Sequence, residues 1–101
     1  MEISIKKDLN GRHIAKPVGK IDTVTSVEFG TTINDAIEDY DITNLILDFS
    51  EVVYISSMGL RMILELQKKM NGLGSMTLIN ANSSVMEVFK ITGFDKILNL
   101  Q

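Results

Sequence analysis

The chain of 101 residues has no cysteine, one proline, one histidine and no long apolar run, and each scarcity removes a class of protein. Without cysteine there is no disulfide framework, no thiol catalysis and no cysteine-based zinc site, a usage that fits a reducing compartment. The apolar runs fall well short of the roughly 18 to 20 residues of a membrane span. Met1 leads directly into a strand pattern, without the features of a signal peptide. The expected location is the cytoplasm, with no membrane insertion. With 45% apolar and 23% charged residues, the composition is that of a globular chain, not a disordered one. Its length suits one domain, expected to span residues 1–101. Ten basic against thirteen acidic residues give a net charge of −3, which argues against a broad nucleic-acid surface and leaves a protein partner as the easier expectation.

Periodicity gives the order of elements. Glu2 to Lys6 alternates polar and apolar, with Ile3 and Ile5 on one face of a half-exposed strand. Asn10-Gly11 supplies a turn, and His13 to Ile21 reads as a second strand, with Pro17 best tolerated at an edge or bulge. Asp22, Thr23 and Thr25 offer capping oxygens for a helix over Val24 to Asp39, with Val27, Ile33, Ala36, Ile37 and Tyr40 as its apolar stripe. Asn44 to Phe49 is a short apolar strand of the kind covered on both faces. A helix over Ser57 to Met70 stops at Gly72, and a strand covers Met76 to Ile79. Asn82-Ser83-Ser84 caps a third helix, with Val85, Val88, Phe89 and Thr92 on its core face, ending at Gly93; Phe94 to Leu100 is a tail without a clear pattern. The fold class is therefore α/β: a single mixed sheet with an N-terminal antiparallel hairpin, right-handed parallel βαβ crossovers and packed helices.

Enzyme signatures are sparse. The close glycine pair Gly72-Leu73-Gly74 reads as a helix stop, not a phosphate loop. A serine elbow around Ser57 would need glycine where Ile55 stands, and His13 reads as a solvated strand-end residue. Asp22 and Asp48 could pair for acid/base work or bind a divalent ion, but capping and loop hydrogen bonds are favoured. No catalytic residue, cofactor or metal site is assigned.

The informative stretch is Ile46 to Leu64, in which a strand passes through an acidic turn and Ser56-Ser57-Met58-Gly59 into a helix. At least one serine belongs at the helix N-terminus, where plain capping is the simplest role and a phosphoserine is also well placed. Met58, Arg61 and Met62 project from the first turns, and not all of them can face the core, which makes an adaptable protein-docking patch.

The segment L-I-L-D-F-S-E-V-V-Y-I-S-S-M-G-L-R closely resembles the signature of bacterial anti-sigma factor antagonists, the single-domain members of the STAS group. Gly19-Lys20-Ile21-Asp22 and Asn82 through Phe94 are similar to two further segments of that family, so the resemblance covers nearly the whole chain. It implies a STAS-like fold and a partner switch. The unphosphorylated protein binds an anti-sigma factor that is also a serine kinase, phosphorylation at Ser57 ends the binding, and a phosphatase resets it. The binding surface it implies comprises Asp22, Thr23, Ser56, Met58, Gly59, Arg61 and Met62. Familiar phosphorylated members carry aspartate where this chain has Ser56, which makes Ser56 a rival acceptor. STAS-like domains also serve as interaction subunits of transporters or sensory complexes, where the same patch would dock without phosphorylation.

Overall fold

In the computed structural model, which describes residues 1–101, the elements are β1 (Glu2–Lys7), β2 (His13–Ile21), α1 (Thr25–Asp39), β3 (Asn44–Asp48), β4 (Val52–Ile55), α2 (Ser57–Asn71), β5 (Ser75–Ile79) and α3 (Ser83–Thr92). A single 3-10 turn follows at Phe94–Lys96. One mixed sheet runs in the order β1-β2-β3-β5, with β4 also paired to β2. β1 is antiparallel to β2 across the tight turn in which the Asp8 carboxylate accepts the Asn10 and Arg12 N–H groups; every other pairing is parallel.

β4 does not figure in the sequence reading, which runs the chain from Phe49 through an acidic turn directly into the serines. It exists because β2 is longer than β3. His13 to Ala15 of β2 pair with β3, and Gly19 to Ile21 pair with β4, so the chain returns to the same strand after the Phe49–Glu51 turn, with a register shift. Pro17 falls between the two partners, where the parallel ladder needs no N–H from it. It is thus tolerated in a strand with neighbours on both sides, not at an edge. The tail also has structure. Leu100 bridges Leu78 in parallel, and Asn99 and Gln101 exchange main-chain hydrogen bonds with β5, covering that edge of the sheet.

The parallel strands step across the sheet in one direction, so right-handed crossovers place all three helices on one face. The core is continuous there, joining Ala15, Leu45, Leu47, Met76 and Leu78 from the strands to Phe29, Ile33, Ile63, Val85 and Phe89 from the helices. β3 was expected to be covered on both faces. On the helix-free face Ile46 lies outside the main core and is nonetheless buried, flanked by Ile14 and Thr77 of the adjoining strands. In α1 the buried stripe is Ser26, Phe29, Gly30, Ile33, Ala36 and Ile37, whereas Val27 and Tyr40 are exposed. In α3 only Val85 and Phe89 are fully buried; Thr92 is exposed and returns its hydroxyl to the Val88 carbonyl. Gly93 ends that helix in the left-handed conformation, φ +79°, where a Cβ would be strained. No helix is long and apolar enough to cross a membrane.

Candidate functional site

The two serines at the start of α2 have different environments. Ser56 is the N-cap: its backbone is extended, its Oγ accepts the Gly59 N–H at 3.1 Å, and the residue is buried. Its own N–H donates to the Ile21 carbonyl at 2.8 Å, tying the cap to the end of β2. Ser57 is the first helical residue, exposed, and its hydroxyl makes no hydrogen bond within the chain. Capping therefore falls to Ser56, and Ser57 presents a free hydroxyl to solvent beside the unpaired N–H groups of the first turn.

Gly59 is buried beneath this turn. A Cβ there would stand 2.8 Å from both Ile21 Cγ2 and Ile55 Cγ1, and 3.1 Å from the Ile21 carbonyl oxygen. The missing side chain lets the helix start rest on the ends of β2 and β4. Ser56 and Gly59 thus shape the surface from below, while Ser57 and Arg61 are exposed and Met58 and Met62 half-buried upon it.

The loop after β2 adjoins this step through the Ser56–Ile21 bond. Asp22 Oδ1 accepts the N–H groups of Val24 and Thr25, at 3.0 and 2.9 Å, and Thr25 Oγ1 donates to the Lys20 carbonyl at 2.6 Å. Hydrogen bonds from the Thr25 backbone and hydroxyl hold the Asp22 carboxyl below its ordinary range, so it is a fixed negative charge. Thr23 is exposed. Val24 at the end of this loop is 82% exposed, and Val53 and Tyr54 of β4, the strand that leads into Ser56, are also open. Sequence reasoning takes Val24 as the first residue of a helix and does not find Val53 and Tyr54, because the V-V-Y-I run that carries them is the strand it passes over.

Residues 4–101 match the family model of the STAS domain. The chain belongs to the STAS domain family. Its fold superposes on that of a crystallised anti-sigma factor antagonist from Mycobacterium paratuberculosis, with a TM-score of 0.87 at 22% identity over 98% of this chain and 83% of that one. A Thermotoga maritima protein gives 0.89 at 21% identity, covering 97% and 84%. The Bacillus cell fate determinant SpoIIAA, in its phosphorylated form, gives 0.73 at 17% identity, covering 99% and 91%.

Elsewhere on the STAS domain, a groove of about 400 Å³ runs between α1 and α2, with Val27, Gly30, Met62 and Glu65 among its lining residues. Met62 lies directly over Gly30, where its Sδ would be 2.7 Å from an added Cβ. The groove thus continues the Met58–Met62 patch down the helix pair. Asp22 and Asp48 do not form an acid pair. Asp48 Oδ1 accepts the Ser50 N–H and the Asn80 side-chain amide, and although burial works to raise its pKa, these bonds lower it overall. His13 is half-buried, not solvated, and stacks on Tyr40 with ring centroids 6.3 Å apart, far down the sheet from Ser57. No group of three His, Asp or Glu side chains is placed to hold a metal ion.

Proposed function

We propose that this STAS domain is an anti-sigma factor antagonist that acts by partner switching. Unphosphorylated, it docks on an anti-sigma factor with serine-kinase activity through Asp22, Thr23, Met58, Arg61 and Met62, with Ser56 and Gly59 fixing the shape beneath them. The observation that carries the reading is the division of labour between the serines: Ser56 is buried in its cap, and Ser57 is exposed and unbonded at the matching place in the family motif. In the switching step Ser57 Oγ takes the γ-phosphoryl group of ATP held by the partner. The bond to the bridging oxygen breaks, ADP leaves, and the hydroxyl proton passes to a base on the kinase. A phosphatase restores the hydroxyl by hydrolysis, water taking the phosphoryl group away as inorganic phosphate.

At a desolvated interface the added charge of about −1.5 to −2 is costly, and each 1.4 kcal/mol of that cost weakens binding about tenfold. The experiment is incubation with the candidate kinase and ATP, followed by phosphosite mapping by mass spectrometry. Phosphate on Ser57, absent from Ser57→Ala, is the expected result; phosphate on Ser56 or on neither serine would defeat the assignment. Binding is measured in parallel, with Ser57→Asp expected to weaken the complex a hundredfold or more. Equal affinity of Ser57→Asp and wild type for a transporter or sensory-complex component would favour a permanent docking subunit instead.

A further inference from the structure

We infer that Arg61 is the intramolecular counter-charge of a phosphorylated Ser57, so that phosphorylation also withdraws from the docking surface its nearest cation along the helix. The inference rests on the reading of Ser57 as the phosphate acceptor. Ser57 and Arg61 are four residues apart on α2, on the same face and one turn from each other, which brings a guanidinium within reach of a phosphate on the serine. Both side chains are exposed, and Arg61 has no ion-pair or hydrogen-bond partner, even though Glu65 stands one turn further on. Arg61 is also the only Lys or Arg between Ile21 and Gln67, a span that carries nine acidic residues. An unpaired arginine in so acidic a stretch, one turn from the acceptor, is positioned to meet a dianion with two parallel N–H bonds.

Two consequences follow for the switch. The phosphate is held along the helix surface, so the docking face changes in shape as well as in charge. Arg61 is engaged by its own chain, so a partner that used it loses that contact at the same moment. Lys20, whose strand position pairs with Tyr54, is the rival cation at this end of the molecule.

The test needs no kinase. The full chain is prepared with phosphoserine placed at position 57 during translation or by chemical ligation, and the second ionisation of the phosphate is followed by phosphorus NMR. In the wild type it should titrate about half a unit lower than in Arg61→Gln, with Arg61→Lys recovering part of the shift and Lys20→Gln leaving it intact. The Arg61 Nε–H resonance should move on phosphorylation in the wild type. Equal titration of wild type and Arg61→Gln, or a shift that follows Lys20 and not Arg61, would overturn the inference. In that event weaker partner binding by Ser57→Asp would still uphold the proposed switch. Conversely, an Arg61-dependent titration stands even if no kinase for this chain exists.

Discussion

Gly59→Ala adds one methyl group where the start of α2 meets the sheet, and the structure gives both the sign and the size of its effect. In a helix interior alanine is favoured over glycine by about 1 kcal/mol, so a site with free space would gain stability. Here the new Cβ lies 2.8 Å from two isoleucine carbons and 3.1 Å from the Ile21 carbonyl oxygen, well inside ordinary carbon contact distances of about 3.5 to 4 Å. None of the three can yield easily. Ile21 and Ile55 are buried in the core, and the Ile21 carbonyl is fixed by the Ser56 N–H at 2.8 Å. Overpacking of this kind costs about 1–3 kcal/mol, and at the first turn the propensity gain recovers only part of it. The net loss is about 1–2 kcal/mol, or a fall in Tm of about 5–15 °C for a domain of this size. Thermal melting by circular dichroism reads this directly. Gly72→Ala is the control, since its only neighbour is the Lys69 carbonyl oxygen at 3.6 Å, and it should leave Tm unchanged or raised. A Gly59→Ala protein as stable as wild type would refute the close-approach account of this glycine.

Three further outcomes are expected. Ser56→Ala removes the cap of α2 and should cost about 1 kcal/mol, whereas Ser57→Ala should stay within about 0.5 kcal/mol; denaturant titrations showing the reverse order would contradict the assignment of the cap. Gly74→Ala drives a Cβ into the main-chain carbonyl of Thr43, which cannot swing aside as a side chain would, and should destabilise by about 3 kcal/mol, a loss that an equilibrium melt would measure. Asp8, Asp22, Glu38 and Asp48 all have pKa values lowered in the folded state, so the unfolded chain takes up protons first. Their contribution is therefore present above the ordinary values of 3.8 and 4.5 and is lost as pH falls through the lowered ones. Tm should fall steadily below about pH 4, and a Tm flat down to pH 2 would contradict the sign.

The fold was legible where one physical signal dominated. The hairpin turn, the cap at Asn82, the stop at Gly93 and the alternation in β1 each come from local chemistry that a single stretch of chain carries. β4 was not legible for the opposite reason. Four residues paired to a strand over thirty positions earlier leave no periodicity of their own, and the acidic turn before them reads as a plain loop. The stripe of α1 failed in detail because Val27 and Tyr40 keep helical spacing yet lie just outside the buried arc, on the rim beside α2 and at the C-cap. At the site, the Ser-Ser-Met-Gly step was legible as a helix start, but which serine caps and which stays free depends on the Ile21 carbonyl. That contact is long-range and belongs to the tertiary structure.

The same contacts explain why a switch at this place can act without refolding. The start of α2 is held at three points: the Ser56 N–H on Ile21, the Ser56 Oγ on Gly59, and the packing of Gly59 on Ile21 and Ile55. All three lie below Ser57, and none uses its hydroxyl. A phosphate on Ser57 therefore breaks no internal bond and enters no core space, and the first-turn N–H groups favour its charge. Free protein with and without the modification should then have nearly the same stability. Its effect falls on association, where Met58 beside it and the partner's own groups would have to lose water around a dianion. In the proposed switch, rigidity beneath Ser57 and a desolvated partner interface over it would be two halves of one device. The first keeps the free energy of phosphorylation from being spent in deforming the domain, and the second directs it to the interface.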